Sequence, residues 1–372
     1  MLKSETMPAA EAAPDAPLRV LGLTAHPVRG PGPRYRVYQF VEPLREHGIE
    51  LDVRSFTRPE DYGALFEPGH RARKLRWLVE GTLRRSLDLA RARKYDAILV
   101  QVWLHPMSFP PFDVALQLLD TPLVYDIDDA YFLPRGRGSD LLRRPDWLPS
   151  LMRRADSVLA GSEFIAEFCR KHNDSVRVLH TAIDTDRFSP RPPDARPRPV
   201  VGWIGTHSTF PFVEELFPVF EELARDHEFV LRLVGAGQGT TIPGVTVETL
   251  PWTLELEVDY FRDLDVGLYP VFESGAAQAK FGFKLHQYMS VGVPAVASDI
   301  GVNRQLVSHG KTAFLAGSPA EWKAALSALI RSSELRHRVG AAARENLAES
   351  YSLRATSREL AQVLRAAART RA

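Results

Sequence analysis

Short apolar segments alternate with helical segments in two separate runs along this chain of 372 residues. In the first run the strand candidates are Leu18 to Leu23, Ile49 to Val53, Asp96 to Val102, Leu123 to Tyr125, Ser157 to Ala160 and Val176 to Leu179. Helical patterns lie between them, the longest from Arg71 to Arg93. Strands that alternate with helices form parallel sheets with right-handed crossovers, so the first run predicts an α/β domain with a doubly wound sheet.

A proline-rich segment separates the two runs. Phe188 to Pro199 reads FSPRPPDARPRP, and its five prolines are excluded from helix interiors and central strands. The alternation then resumes in Val200 to Ile204, Phe229 to Val234, Val245 to Leu250, Val266 to Leu268, Ala295 to Ala297 and Thr312 to Leu315. We therefore predict two Rossmann-like domains that face each other across a cleft, the expected place for a ligand.

The predicted boundaries follow from these patterns. Residues 1–16 are polar enough to be a disordered tail, and residues 17–188 and 200–350 form the two domains. Residues 189–199 are the linker, and residues 351–372 form a C-terminal helix.

Charge and cysteine content exclude several kinds of protein. The formal net charge is +1, so no overall field favours nucleic acid, and none is expected as a partner. Cys169 is the single cysteine, which excludes an intrachain disulfide and a cysteine-based metal site. No apolar run reaches the roughly 18 residues that a membrane span needs, and no signal-peptide pattern opens the sequence. These features predict a cytoplasmic protein.

The segment from Arg71 to Lys94 is strongly basic, with nine basic and two acidic residues. Its apolar residues fall near helical spacing: Leu75, Leu78, Val79, Leu83, Leu87 and Ala90, with Trp77 among them. Two interpretations follow. A basic amphipathic helix can lie peripherally on the inner face of an anionic membrane, or its apolar stripe can pack on the sheet and leave the arginines in solvent.

The most informative segment runs from Ala279 to Gly301 and reads AKFGFKLHQYMSVGVPAVASDIG. A glycine-containing loop opens an amphipathic helix, and a Gly-Val-Pro turn leads into a short buried strand. Free backbone N–H groups at the start of that helix can bind an anion, and Lys284 in its first turn can reach the same anion. The alternative is an ordinary loop with a solvated lysine.

This segment resembles the donor-site signature of retaining glycosyltransferases of the GT-B fold, in family 4. The matching positions are Phe281, Gly282, Leu285, Met289, Gly292, Pro294, Ala297, Ser298 and Gly301. The two glutamates of the family's Glu-x7-Glu pattern are replaced by Ala279 and Gln287. Further similar segments occur in the expected order: Val200 to Thr209, Val230 to Gly237, Val266 to Pro270 and Ile183 to Pro190.

The resemblance implies a GT-B hexosyltransferase or other glycosyltransferase of glycan biosynthesis, with the C-terminal helix crossing back onto the first domain. It implies transfer from a UDP- or GDP-sugar, with retention of anomeric configuration and without a metal or other cofactor. The acceptor is expected to be a glycan, a lipid-linked molecule or a small molecule. Two alternatives share the fold: a nucleotide-sugar 2-epimerase and a non-catalytic partner subunit.

The resemblance also assigns roles to individual residues. Lys284 is expected to neutralise the donor diphosphate and so act in catalysis. The donor is expected to contact Gly205, Thr206, His207, Gly235, Phe281, Gly282, Phe283, Lys284 and Gln287.

Polar residues also follow two strands of the first domain. Gln101 ends one strand, and Asp126, Asp128 and Asp129 follow the next as YDIDD. The aspartates can orient or deprotonate an acceptor hydroxyl, bind a metal, or cap a helix. Gln101 and Asp128 are the catalytic candidates. Other possible cleft residues are His26, His105, Arg34, Tyr35 and Arg36, although arginines of this kind are commonly surface residues.

Overall fold

The computed structural model describes residues 16–65, 67–107, 110–133, 147–192, 196–271 and 282–370. Each run of alternating elements forms one parallel sheet of six strands, which confirms the predicted α/β class with two doubly wound sheets. The first sheet, in the order β2-β1-β3-β4-β5-β6, contains Leu18–Thr24 (β1), Ile49–Ser55 (β2), Ala97–Gln101 (β3), Leu123–Ile127 (β4), Ser157–Ala160 (β5) and Val176–Val178 (β6). The second, in the order β12-β11-β10-β7-β8-β9, contains Val200–Ile204 (β7), Val230–Val234 (β8), Thr246–Leu250 (β9), Val266–Tyr269 (β10), Ala295–Ser298 (β11) and Phe314–Ala316 (β12).

Helices cover both faces of each sheet. Those of the first half are Pro31–Arg36 (α1), Val41–Glu46 (α2), Pro59–Tyr62 (α3), Arg71–Arg91 (α4), Pro110–Gln117 (α5), Leu148–Arg154 (α6) and Glu163–Cys169 (α7). Those of the second half are Pro211–Glu214 (α8), Phe217–Ala224 (α9), Glu257–Arg262 (α10), Phe283–Ser290 (α11), Gly301–Leu306 (α12), Pro319–Arg331 (α13), Ser333–Ser350 (α14) and Leu353–Arg369 (α15). Short 3-10 helices occupy Tyr38–Phe40, Gly63–Leu65 and Ala92–Lys94.

The C-terminal helix α15 belongs to the second half by sequence but packs on the first sheet. Leu360 and Leu364 are buried in one cluster with Val20 of β1 and Leu99 of β3. The Ser352 side chain accepts a hydrogen bond from the backbone N–H of Ala355 and so caps the helix start. The chain thus crosses back to the first domain.

Each sheet has a point where the strand order reverses. In the first sheet β1 lies between β2 and β3, and in the second β7 lies between β8 and β10. The carboxyl ends at these points are where open α/β sheets bind ligands.

Helix α1 begins inside a segment whose composition is typical of a loop. Pro27 to Pro33 is rich in proline and glycine, but α1 starts at Pro31. Proline fits the first turn of a helix because its missing N–H would have no helical partner there. The residues from Val37 to His47 have helical spacing, and they form a 3-10 turn followed by α2.

Helix α4 turns a different face to the protein than its apolar pattern suggests. Its buried residues are Trp77, Gly81, Arg85 and Leu89, whereas the exposed ones include Leu75, Val79, Leu83 and Leu87. The apolar stripe therefore does not pack on the sheet. Among the described residues, no helix is both long enough and apolar enough to cross a membrane.

Candidate functional site

Helix α1 lies between the two halves and contributes residues to both sides of the site. Arg34, Tyr35 and Arg36 are all buried, so the expectation of surface arginines is wrong for this segment. At the other end of the helix, Gly32 approaches the first sheet closely. A Cβ added at Gly32 would lie 3.4 Å from Asp128 Oδ2 and 3.4 Å from Gln101 Nε2.

The first-domain side of the site contains Gln101 and Asp128. Gln101 Nε2 donates a hydrogen bond to Asp128 Oδ1 over 3.2 Å. Asp128 is half-buried, and desolvation, with the nearby charge of Asp126, raises the pKa of its carboxyl to about 6. A carboxyl with such a pKa can accept a proton near neutral pH.

Asp126 has a different environment from the one expected. It lies inside β4 rather than after it, and its carboxylate is paired with the Arg36 guanidinium, whose Nε lies 3.1 Å from Asp126 Oδ2. Asp129 Oδ1 accepts a hydrogen bond from the backbone N–H of Ala130. Asp126 lies beside Gln101 in the sheet, but Asp128 is the aspartate whose side chain bonds to that of Gln101. Within the described ranges, no group of three or more His, Cys, Asp or Glu residues is arranged to hold a metal ion.

A strained turn follows Gln101. Val102 has φ of +55°, and the backbone N–H of Trp103 donates to the carbonyl of Gln101 over 2.7 Å, which makes a γ-turn. A positive φ is costly for a β-branched residue and persists only where surrounding contacts enforce it. Tyr125 supplies one such contact, since its hydroxyl donates to the Val102 carbonyl over 3.0 Å. Strain of this kind is typical of functional sites.

The second-domain side of the site begins at the N-terminus of α11. Gly282 precedes the helix with φ of +28°, and a Cβ there would lie 2.5 Å from Leu306 Cδ1, so only glycine fits. Lys284 is half-buried, and its Nζ lies 5.4 Å from the centre of the Phe261 ring. Desolvation lowers the pKa of Lys284 to about 8, with the charge of Glu257 acting in the opposite direction. Phe281, like Ala279, lies outside the described residues.

Gln287 connects α11 to the first domain. It is buried, and its Nε2 donates to the Tyr35 hydroxyl over 3.4 Å. Its Oε1 is buried without a hydrogen-bond partner in the described structure, so a further donor would satisfy it. The Tyr35 ring also contacts the Phe283 ring, with 4.4 Å between their centroids.

A buried carboxylate, Glu257 of α10, adjoins this contact. Its Oε1 lies 2.9 Å from Arg34 Nη2, and its Oε2 lies 3.3 Å from Arg187 Nη2. Burial, with the adjacent charge of Glu257, raises the pKa of the Tyr35 hydroxyl. Glu257 has no signal in the sequence, because one glutamate in an ordinary helical pattern does not stand out.

The glycine loops after β7 and β8 meet each other at the edge of the second sheet. Gly235 has φ of +90°, and a Cβ there would lie 2.3 Å from the Gly205 carbonyl oxygen. Thr206 and His207, in the loop after β7, are exposed. His207 lines a cavity of about 440 Å³ together with Phe210, Phe217 and Gly237, among others. No residue of α11 lines this cavity.

The remaining histidine candidates lie beside other aromatic rings. His105 is buried, with its ring centroid 4.7 Å from that of Phe56, and desolvation lowers its pKa to about 4. The His26 ring lies 5.5 Å from that of Tyr62.

Two family models match the chain, one for each domain. Residues 32–187 match Glycosyltransferase Family 4, and residues 198–332 match Glycosyl transferases group 1. The chain belongs to the GT-B glycosyltransferases. No curated protein matches its sequence significantly.

Solved structures similar to this glycosyltransferase share its two-domain fold. They include HepE of Anabaena in complex with UDP (15% identity, TM-score 0.64), which covers 94% of this chain and 100% of its own. A glycosyltransferase from Rickettsia africae (14%, TM-score 0.68) covers 94% and 98%. Sucrose-phosphate synthase from Thermosynechococcus elongatus (14%, TM-score 0.66) also covers 94% and 98%. At these identities the likeness establishes the fold alone.

Proposed function

We propose that this glycosyltransferase moves a sugar from a nucleoside-diphosphate sugar, with UDP or GDP as the nucleotide, to an acceptor hydroxyl. The reaction retains the anomeric configuration and uses no metal ion. The observation that carries the proposal is the positive charge in the cleft, where the buried Arg34 and the half-buried Lys284 share the carboxylate of Glu257. Uncompensated buried charge is costly, and an anionic ligand removes that cost.

Lys284 is the residue that we assign to the leaving diphosphate. Lys284 lies in the first turn of α11, where the backbone N–H groups have no helical partners. Both groups favour negative charge, which increases on the diphosphate as the glycosidic bond breaks. The similar HepE protein has been solved with UDP and with UDP-glucose, which supports a nucleotide-sugar donor here.

Gln287 takes the place of a family glutamate. Its buried and unpartnered Oε1 can accept one hydrogen bond from a donor hydroxyl, without the charge that a glutamate would add. Gly205, Thr206, His207 and Gly235 are proposed to complete the donor site from the loops after β7 and β8, with Phe281 to Phe283 contributing backbone N–H groups.

Asp128 and Gln101 are proposed to receive the acceptor. Both lie at the carboxyl ends of the first sheet, where α1 separates them from the second domain. Asp128 can orient the acceptor hydroxyl or take its proton, and Gln101 fixes the carboxylate orientation.

The exposed stripe of α4 is proposed to contact an anionic membrane peripherally. Leu75, Val79, Leu83 and Leu87 are each more than half exposed. Exposed Val114 lies on the neighbouring helix α5 and exposed Leu118 directly follows that helix, so exposed apolar residues are not confined to α4. This arrangement suits a lipid-linked acceptor, since it would bring the first domain to the membrane.

The test is incubation with UDP-, GDP- and dTDP-sugars, with and without glycan and lipid-linked acceptors. Release of nucleotide that depends on acceptor, together with a product of retained anomeric configuration by NMR, is the expected result. Interconversion of the sugar would instead identify a 2-epimerase, and binding without turnover would identify a non-catalytic partner. Loss of activity with EDTA that magnesium or manganese restores would contradict metal independence.

A further inference from the structure

Arg34 is buried but uses only part of its hydrogen-bonding capacity. Its side chain is 9% exposed, and Nη2 bonds to Glu257 Oε1. Among the residues that the structure describes, Nε and Nη1 have no hydrogen-bond partner. A buried guanidinium with two free nitrogens is costly to leave unsatisfied, because those donors have lost water without gaining an acceptor.

The position of Arg34 is fixed on two sides. Its guanidinium carbon lies 4.8 Å from the centre of the Tyr35 ring, and Glu257 holds it from the second domain. Tyr35 in turn contacts Phe283 and Gln287 of α11. The free nitrogens are therefore held close to the helix that carries Lys284, although they belong to the first domain.

The charges of the described residues favour an anion here. Lys284 interacts electrostatically with both Glu257 and Arg34, so the three groups form one cluster. Glu257 also pairs with Arg187, but that side chain is 41% exposed, so water screens its charge. Among the described residues of the cluster, one carboxylate therefore faces the two less exposed cations, Arg34 and Lys284. An anion with several acceptor oxygens would offset the excess positive charge and satisfy both free nitrogens of Arg34.

We propose that Arg34 binds the donor diphosphate from the opposite domain, with Glu257 acting as a positioning residue that holds the guanidinium fork toward the cleft. This inference deepens the proposed function and rests on it. Because the ligand would then touch Lys284 of one domain and Arg34 of the other, donor binding would also hold the two domains together.

The test compares ligands that differ only in the diphosphate. Affinities of wild type and Arg34→Met for UDP, uridine, GDP and guanosine are measured by calorimetry or ligand-observed NMR, with pyrophosphate as a separate probe. Arg187→Met is the matched control, since it also removes an ion pair with Glu257 but from a side chain that is 41% exposed. Arg34→Lys, which keeps the charge and loses the fork, serves if Arg34→Met does not fold.

We expect Arg34→Met to lower the affinity for the nucleoside diphosphate and for pyrophosphate roughly 10- to 100-fold, as for a lost charge-assisted contact. The affinity for the nucleoside should not change. Arg34→Lys should lower the affinity for the diphosphate less than Arg34→Met does. Arg187→Met should leave this affinity almost unchanged. Equal diphosphate affinity in wild type and Arg34→Met would overturn the inference. Equal weakening of nucleoside and diphosphate would also overturn it, because Arg34 would then only support the domain contact. A wild type that binds none of the probes would refute the proposed function itself.

Discussion

The ring of Tyr35 lies 4.4 Å, centroid to centroid, from the ring of Phe283, although the two residues belong to opposite domains. The same tyrosine accepts a hydrogen bond from Gln287, so α1 and α11 are in contact through a pair of tilted rings and a hydrogen bond. The short helix α1 thus connects the acceptor-side carboxylate Asp128 to the cations near α11. Substitutions in α1 should therefore change the affinity for both the donor and the acceptor.

The buried pair of Arg36 and Asp126 should be important for stability. Each side chain is 2% exposed, and Arg36 Nη1 also donates to the Leu179 carbonyl over 2.6 Å. Removal of one partner leaves a buried uncompensated charge, so Arg36→Met or Asp126→Leu should destabilise the first domain by about 3–5 kcal/mol. Urea unfolding measures this loss.

The control for that pair is Arg45→Ala in the neighbouring helix α2. Arg45 pairs with Glu42, but both side chains are more than half exposed. Its loss should cost less than about 1 kcal/mol. Similar losses in Arg45→Ala and Arg36→Met would contradict the role assigned to the buried pair.

The rate should depend on pH in a bell-shaped manner. In the free protein the pKa of Asp128 is raised to about 6 and that of Lys284 is lowered to about 8. Asp128 is ionised above the first value and Lys284 is protonated below the second, so kcat/KM should rise near pH 6 and fall near pH 8. In Asp128→Asn, kcat/KM should no longer rise near pH 6 but should still fall near pH 8. If the rise near pH 6 is unchanged in this variant, Asp128 is not the base.

Gln287 should contribute to donor binding rather than only to the helix. Gln287→Leu leaves no acceptor for a donor hydroxyl and removes the bond to Tyr35, so donor affinity should fall by about tenfold. Gln287→Glu should bind the donor as well as wild type or better, because Lys284 and Arg34 are close enough to offset the new charge. Calorimetric affinities that are equal in all three proteins would show that Gln287 plays no part.

The α4 stripe should bind anionic vesicles in a salt-sensitive manner, since each lysine or arginine near such a surface contributes about 1 kcal/mol. Val79→Ser combined with Leu83→Ser should abolish sedimentation with anionic vesicles, whereas Leu256→Ser, at an exposed leucine of the second domain, should not. Basic residues are best tested at Arg76 and Arg91, which are exposed; Arg85 is fully buried and bonds to the Thr24 carbonyl, so its substitution would perturb the fold. Wild type that binds neither anionic nor neutral vesicles would contradict the membrane role.

The sequence predicted the elements well because their signals are local. Ser157–Ala160 and Val200–Ile204 have the predicted bounds, and Gly48 has φ of +64° after α2, as a C-cap glycine requires. The family resemblance then supplied the domain order and the site helix α11.

The contacts of α1 could not be predicted from local sequence patterns. Arg34 bonds to a residue 223 positions away and Tyr35 to one 252 positions away, and no spacing rule relates such pairs. For helix α4 the spacing left two interpretations open, and it could not choose between them. A buried arginine occupies the inner face because backbone carbonyls of the first sheet accept its hydrogen bonds, and the apolar stripe lies outward. Tertiary polar contacts of this kind override the amphipathic pattern.

Donor binding at the cleft should depend on Lys284. Thermal unfolding with UDP-, GDP- and dTDP-sugars tests it directly, using wild type, Lys284→Ala and the surface control Lys323→Ala, whose lysine pairs with Glu222 far from α11 in sequence. A donor at 100 times its Kd should stabilise wild type and the control by about 2.7 kcal/mol. Without ligand, Lys284→Ala should unfold at the same temperature as wild type. With the donor present, it should lose most of the stabilisation that wild type gains. If a donor raises the stability of Lys284→Ala as much as that of wild type, Lys284 does not bind the donor. If no donor raises the stability of wild type, the protein does not bind these nucleotide sugars.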